Sequence, residues 1–168
     1  VQCSIGQSDN LLTPLQLANY CATIANGGTR YKTHFVKSKI SSATGAVNET
    51  GITVEEETGV SQNTFDIVKS GMRRVSLYGG PNRQFNKLKV KTACKTGTSQ
   101  VVVNGVKHNN GFLITFAPYD NPEISIGSAI ETAGSGSSTA EITAAIIDYY
   151  YSNNDSEEKA QTDSSLLP

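Results

Sequence analysis

Charged residues, cysteines and long apolar runs are all scarce in this sequence, and each scarcity excludes a class of protein. Lys and Arg number 14 against 15 Asp and Glu, so the net charge of −1 provides no basic surface for nucleic acid. The three cysteines, Cys3, Cys21 and Cys94, are odd in number and lack CxxC spacing, which predicts buried free thiols instead of a disulfide framework. The longest apolar run, residues 112–117, has the length of a strand and falls far short of a membrane span.

The length of 168 residues suits one domain with a sizeable core. Ser, Thr, Asn and Gly are abundant, which is typical of loop-rich, β-containing secreted or surface domains. We expect residues 1–151 to fold and residues 152–168 to form a polar tail that adds nothing to the fold. The sequence opens on Val1 within a stretch typical of ordered protein, and we expect it to be a fragment of a longer chain.

Capping signals and apolar spacing predict three helices. Their signals are, in chain order, Thr13-Pro14 to Asn26-Gly27-Gly28, Ser61 or Asn63 to Gly79-Gly80, and a capping box of Ser138 and Glu141. The third helix carries its apolar face on Ile142, Ala145, Ile146 and Tyr149, and we expect it to lie across a sheet.

Strands are predicted from β-branched and aromatic runs. They cover residues 35–40, 52–54, 88–98, 101–103, 112–117 and 124–130, with residues 41–49 as a loop. Asn104-Gly105 is a strong hairpin signal, and the last strands should be consecutive antiparallel neighbours. Glu55-Glu56-Glu57 is interpreted as a solvated edge, not an acid–base pair. The pattern predicts an α+β fold, an antiparallel sheet with helices kept to one side.

The candidate functional residues lie in the segment 90–99. Lys95, Thr96, Gly97 and Thr98 offer a cation, two hydroxyls and an approachable backbone at one end of a strand-like segment, an arrangement suited to a small anionic ligand. The plain alternative is an exposed strand lysine followed by ordinary β-forming threonines. A phosphate loop is excluded, because Lys89 and Cys94 occupy the positions where that loop requires glycine.

Several segments occur together in an order that is more specific than Lys-Thr-Gly alone. They are Ser4-Ile5-Gly6-Gln7, residues 12–19, Ile24 to Gly28, Met72 to Gly80, Phe85, Lys95 to Thr98 and Phe116-Ala117-Pro118. Together they resemble the C-terminal half of the transpeptidase domain of class B penicillin-binding proteins, the high-molecular-weight cell-wall D,D-transpeptidases. Cys94, where glycine commonly precedes the lysine, and Gly111-Phe112, where an aromatic pair is more usual, depart from the family pattern.

The resemblance implies part of a serine β-lactamase and penicillin-binding transpeptidase-like fold. It also implies an enzyme that cross-links peptidoglycan stem peptides through a serine acyl-enzyme, is acylated by β-lactams and requires no cofactor. In that enzyme Lys95 would sit near the substrate carboxylate and support proton movement. Thr96 and Thr98 would offer hydroxyls, Thr98 an oxyanion-hole N–H as well, and Gly97 close access to the strand. The family also implies an N-terminal membrane anchor, an extracytoplasmic location, and division or elongation partners.

The nucleophile of the family lies in a Ser-x-x-Lys motif, supported by a Ser-x-Asn motif. Three segments of this sequence match one of these motifs, and we reject each of them. Ser8-Asp9-Asn10 lies inside the Ser-Ile-Gly-Gln segment, Ser61-Gln62-Asn63 is a helix cap, and Ser156-Glu157-Glu158-Lys159 lies in the polar tail. We therefore expect the nucleophile on a missing upstream segment, and we expect this chain alone to be inactive.

Other interpretations stay open at this point. A β-lactam sensor or a D,D-carboxypeptidase could use the same fold, and a non-catalytic scaffold could bind a cell-wall peptide or a partner protein. His34 and His108 are single histidines, more typical of the surface than of a ligand set. A structural zinc on Cys94 or Cys3 with His108 is also conceivable, although no ligand spacing supports it.

Overall fold

The computed structural model describes residues 11–163, and side chains as far as residue 153. The helices are α1 (Pro14–Ala25), α2 (Gln62–Tyr78), α3 (Asn82–Phe85) and α4 (Ala140–Asp163), with a 3-10 helix at Gly136–Thr139. The strands are β1 (Thr29–Tyr31), β2 (Ser38–Ile40), β3 (Val47–Glu49), β4 (Val54–Glu57), β5 (Ala93–Val103), β6 (Val106–Ala117) and β7 (Ile124–Ile130). The α+β class is confirmed.

The main sheet has the strand order β5-β6-β7, with both pairs antiparallel, as predicted. Asn104 and Gly105, with φ of 51° and 77°, form the tight turn between β5 and β6. The register pairs Ala93 with Phe116 at one end of this hairpin and Val103 with Val106 at the other. Because β7 pairs only with residues 111–117, the outer half of the hairpin extends beyond it.

The strand predicted to begin at residue 88 begins instead at Ala93. The backbone carbonyls of the two residues just before it accept hydrogen bonds from groups that are not in a neighbouring strand. The Lys91 carbonyl accepts from the Tyr119 N–H at 2.8 Å, and the Thr92 carbonyl accepts from the Arg73 guanidinium at 2.8 Å. These two bonds replace strand pairing and fix the point at which β5 starts.

Local capping chemistry sets the first two helices as predicted. Thr13 and Gln16 form a reciprocal capping box, with Gln16 N donating to Thr13 Oγ1 at 3.2 Å and Thr13 N donating to Gln16 Oε1 at 2.8 Å. Ser61 caps α2 by accepting from Thr64 N at 3.3 Å. The helix α1 lies so close to β7 that a Cβ added to Gly127 would stand 2.5 Å from the Pro14 carbonyl oxygen.

Helices cover both faces of the sheet, so the prediction that they keep to one side was wrong. The first core cluster joins α1 and α2 to one face and consists of Cys21, Ile24, Ala25, Phe65, Met72, Ala93 and Phe116. The second joins α3 and α4 to the other face and consists of Phe85, Cys94, Leu113, Ala140 and Ala144. Side chains alternate across a strand, which sends Ala93 and Cys94 into different clusters.

The predicted apolar face of α4 was also wrong. Ile142, Ile146 and Tyr149 are 56%, 47% and 70% exposed. The buried face consists of Ala140, Thr143, Ala144 and Ile147. Its small residues let the helix approach the sheet closely, which a stripe of isoleucines would prevent. The predicted capping box is absent too, because Ser138 lies in the 3-10 helix and donates to the Ala133 carbonyl at 2.9 Å. The helix continues through Asp163, past the predicted start of the tail.

Two small hairpins lie outside the main sheet, β1 with β4 and β2 with β3. Residues 47–49 were predicted as loop but form β3, because they pair with residues 38–40. The predicted strand at residues 35–40 contains only β2, and the one at residues 52–54 shifts to β4 and includes the glutamates. The carboxylates of Glu55 and Glu56 pair with Arg30 at 2.9 and 3.1 Å in solvent, which confirms a solvated edge. Within residues 11–163, no helix is long and apolar enough to cross a membrane.

Candidate active-site wall

The four predicted site residues lie side by side on β5, which is an edge strand. β5 pairs only with β6, so along the described part of the chain its other edge has no strand partner. On such an edge the outward N–H and C=O groups are available to an extended ligand. Lys95 is exposed, and its ammonium donates to the carbonyl of Thr96. It makes no salt bridge to any carboxylate among the side chains described.

The side chains of the four residues divide between the two faces of the sheet. Lys95 and Gly97 share the face of Ala93, whereas Thr96 and Thr98 share the face of Cys94, because side chains alternate along a strand. Thr98 Oγ1 accepts a hydrogen bond from Gly136 N at 3.2 Å. The structure therefore brings the backbones of the four residues together at one edge, but it does not gather their side chains on one face.

The surroundings of Gly97 are open. A Cβ added there would meet only the Cβ of Phe112, at an ordinary 3.5 Å. The fold itself therefore does not require glycine at this position. The space above Gly97 is available to a ligand backbone that approaches the edge of β5.

The back of the same strand is tightly supported. A Cβ added to Gly136 would stand 2.4 Å from the Gly97 carbonyl oxygen and 2.5 Å from the Phe112 carbonyl oxygen. A Cβ added to Gly111 would stand 2.3 Å from the Ser135 carbonyl oxygen. The segment that leads into α4 thus lies directly against the backbone of β5 and β6.

Sequence reasoning missed two residues at this wall, Gly136 and Arg73. Arg73 on α2 donates to the Thr92 carbonyl, just before β5 begins. The Gly-Ser-Gly-Ser-Ser run at residues 134–138 was a signal for a tight approach by Gly136. Arg73 had no comparable signal, because Arg74 beside it looks the same in sequence.

Cys94 immediately precedes Lys95 in β5, and its side chain is buried on the opposite face of the sheet. Cys21 is buried as well, and both are free thiols, as predicted. Burial raises the pKa of Cys94 to about 11, although the Ser76 hydroxyl and the charges of Lys95 and Arg73 act in the opposite direction. Among the described atoms, Ser76 Oγ is buried and has no hydrogen-bond partner of normal geometry. A thiol in this state is a poor nucleophile and a poor metal ligand.

The structure separates the zinc ligands considered from sequence. Cys94 lies opposite Thr115 and His108 opposite Val101, so seven strand residues, about 23 Å at the usual rise, separate Cys94 from His108. Cys3 lies outside the described residues. No group of three His, Cys, Asp or Glu side chains in the described part of the chain could hold a metal ion.

Of the serines considered as nucleophiles, Ser61 is the one whose side chain is described. Ser61 caps α2, as predicted. Ser8 lies outside the described residues, and Ser156 falls on the part of α4 for which only the backbone is described. The wall therefore supplies a cation and an open strand edge. We identify no nucleophile beside it among the described residues.

Comparison with known proteins identifies the family. The family model of the penicillin-binding protein transpeptidase domain matches residues 1–148. The chain therefore belongs to the penicillin-binding protein transpeptidase family, and it covers a fragment of the domain, as the sequence resemblance implied.

Its relatives include penicillin-binding protein 2A of Bacillus subtilis, 34% identical over 95% of this chain and 24% of the relative. Another is the peptidoglycan D,D-transpeptidase MrdA of Acinetobacter baumannii, 29% identical over 89% of this chain and 24% of the relative. A solved ceftriaxone acyl-enzyme complex of penicillin-binding protein A from M. tuberculosis aligns with a TM-score of 0.75 at 27% identity, over 88% of this chain and 34% of that one. The chain thus spans about a quarter of the length of the curated relatives.

Proposed function

We propose that the protein carrying this chain is a serine-type peptidoglycan D,D-transpeptidase that cross-links stem peptides and is acylated by β-lactams. This chain supplies the wall formed by Lys95, Thr96, Gly97 and Thr98. The serine nucleophile then belongs to a part of the protein outside this sequence, so the isolated chain is inactive. The observation that carries the proposal is an exposed Lys95, without a carboxylate partner among the described side chains, on an edge strand of a family member.

The geometry suggests how each part of the wall acts. The ammonium of Lys95 attracts the carboxylate of a stem peptide or a β-lactam through a charge-assisted hydrogen bond. The open edge of β5 offers backbone N–H groups, among which we assign that of Thr98 to the developing oxyanion. Gly97 leaves room for the acyl donor to lie along the strand. Thr98 Oγ1 accepts from Gly136 N, which orients the hydroxyl and leaves its O–H free to donate, so we assign substrate contact to both Thr96 and Thr98.

The relatives support a proposal for the location and the partners. Peptidoglycan lies outside the cytoplasmic membrane, and we propose an extracytoplasmic domain held by an anchor helix that is not part of this sequence. One structure with the same fold is a complex of penicillin-binding protein 2 with MreC from Helicobacter pylori, with a TM-score of 0.70 at 24% identity. An elongation or division partner of comparable kind is our proposal for this protein.

Labelling with a fluorescent penicillin tests the proposal. The sample is the full-length protein, compared with this chain alone, and excess unlabelled penicillin serves as the competition control. We expect covalent label only on the full-length protein, and peptide mapping should place it outside these 168 residues.

Three other results would change the assignment. Label on this chain alone would show that one of its own serines is the nucleophile, with Ser8 and Ser156 the first to test. Full-length protein that takes no label, although it is folded, would contradict the enzyme and favour a non-catalytic scaffold. A labelled protein that releases D-alanine without forming cross-links would favour the carboxypeptidase.

A further inference from the structure

Helix α2 holds the start of β5 through one charged side chain. Arg73 is partly buried, and its Nη1 donates to the Thr92 carbonyl at 2.8 Å across 19 residues of sequence. Thr92 precedes Lys95 by three residues, about 10 Å of extended chain. The contact therefore lies close to the point where the strand enters the sheet.

The same guanidinium also contacts the segment that follows β6. It lies over the ring of Tyr119, 6.0 Å from the centroid, and Tyr119 stacks on Phe116 at 6.3 Å. Tyr119 in turn donates its backbone N–H to the Lys91 carbonyl at 2.8 Å. Arg73 thus links α2, the residues that precede β5 and the connector that follows β6.

Residues of α2 beside Arg73 also lie against the start of β5. Met72 packs in the same cluster as Ala93, and Ser76, one helical turn beyond Arg73, lies against Cys94. One face of α2 therefore contacts three consecutive residues of the chain, Thr92 through Cys94, immediately before Lys95.

We propose that Arg73 is a positioning residue that sets the placement of Lys95 and of the β5 edge for acylation. Arg73 does not itself reach the substrate, and it acts by fixing the direction in which β5 leaves Thr92. This inference rests on the proposed function. Arg74 is the matched control, because it has the same charge and is adjacent in sequence but is exposed and makes none of these contacts.

The test is a time course of fluorescent penicillin labelling on the full-length protein with Arg73→Ala, Arg73→Lys and Arg74→Ala. It separates the first-order acylation rate constant from the fraction of protein that labels at saturation. We expect Arg73→Ala to lower the rate constant about tenfold, near the lower end of what a lost charge-assisted hydrogen bond costs. Arg73→Lys should recover part of the rate, because lysine can donate to the carbonyl but cannot stack as well on Tyr119. Arg74→Ala should match the wild type.

A purely structural role would give a different pattern. It would reduce the labelled fraction and the melting temperature of Arg73→Ala while the rate constant of the labelled molecules stays at the wild-type value, and that result would overturn the inference. If Arg73→Ala does not fold, an Arg73→Lys rate constant equal to that of Arg74→Ala would overturn it too. Wild-type protein that takes no label overturns the proposed function, and this inference falls with it.

Discussion

Thr98, the last residue of the Lys-Thr-Gly-Thr wall, accepts its hydrogen bond from the backbone N–H of Gly136, 38 residues further along the chain. Gly136 lies on the face of the sheet opposite Lys95, so the wall is supported from behind by the turn that opens α4. A Cβ added to Gly136 would stand 2.4 Å from the Gly97 carbonyl oxygen and 2.5 Å from that of Phe112, so no side chain fits between the turn and the strand. The positions of the turn and the wall are thus coupled.

The first prediction concerns that close approach. Gly136→Ala must move either the turn or β5, because the nearest atoms are backbone atoms. We expect a loss of about 1–3 kcal/mol in the free energy of unfolding, together with slower penicillin labelling of the full-length protein. Urea denaturation and a labelling time course measure the two effects. The control is Gly71→Ala, at an exposed site in α2 where a Cβ meets nothing within 4 Å. It should stabilise the protein by up to about 1 kcal/mol.

Gly97→Ala should differ from Gly136→Ala in its effect on stability, although both should slow labelling. The new Cβ would have only an ordinary contact with Phe112, so we expect the free energy of unfolding to change by less than about 0.5 kcal/mol. Labelling should nevertheless slow, because the methyl group occupies the space through which a ligand approaches the strand edge. Unchanged labelling would show that no ligand backbone comes close to Gly97.

Lys95→Ala tests the charge of the wall. Lys95 is exposed and has no ion-pair partner among the side chains described, so its removal should leave the melting temperature unchanged. Labelling should fall by about tenfold or more, because the carboxylate of the β-lactam loses a charge-assisted hydrogen bond. Lys107→Ala, which removes an exposed lysine from the other strand of the same hairpin, is the control and should label normally. Equal rates for the two variants would contradict a binding role for Lys95.

Local chemistry explains which parts of the fold were predictable. The caps at Thr13 and Ser61 and the Asn104-Gly105 turn depend on residues within a few positions of one another, and all three are confirmed. The hydrogen bond from Arg73 to Thr92 and the one from Gly136 to Thr98 join residues 19 and 38 positions apart. The glycine-rich run at residues 134–138 signals a close approach, but the sequence pattern does not show which residue either donor contacts. The motif could thus be located from sequence, but the groups that hold it in place could not.

The helix α4 shows why periodicity alone can select the wrong face. It carries two apolar stripes, one through Ile142 and Ile146 and one through Ala144 and Ile147, and the sequence favoured the bulkier one. We expect Ile147→Ala, at a side chain with no exposure, to cost about 2–5 kcal/mol of stability. Ile146→Ala, at a side chain that is 47% exposed, should cost much less. Urea denaturation of the two variants measures this directly, and equal losses would contradict the observed face.

The last prediction concerns the two buried thiols at high pH. Burial raises the pKa of Cys21 to about 12, with a smaller contribution from Cys94, and burial likewise raises the pKa of Cys94 to about 11, from an ordinary value of 9.0. Above pH 9 an unfolded thiol loses its proton while the folded one keeps it. The unfolded state then binds fewer protons, so stability is complete below pH 9 and falls as the pH rises toward the folded-state pKa values.

Each thiol contributes up to about 1.4 kcal/mol per pH unit within that window. We therefore expect the free energy of unfolding to fall more steeply between pH 9 and pH 10.5 in the wild type than in Cys21→Ala. The two proteins differ only at residue 21, so the contributions of all other groups cancel in this comparison. Urea denaturation at the two pH values gives the slopes. Identical slopes, or rapid reaction of Cys21 with a thiol reagent in the folded protein at pH 8, would show that this thiol is neither buried nor protonated as described.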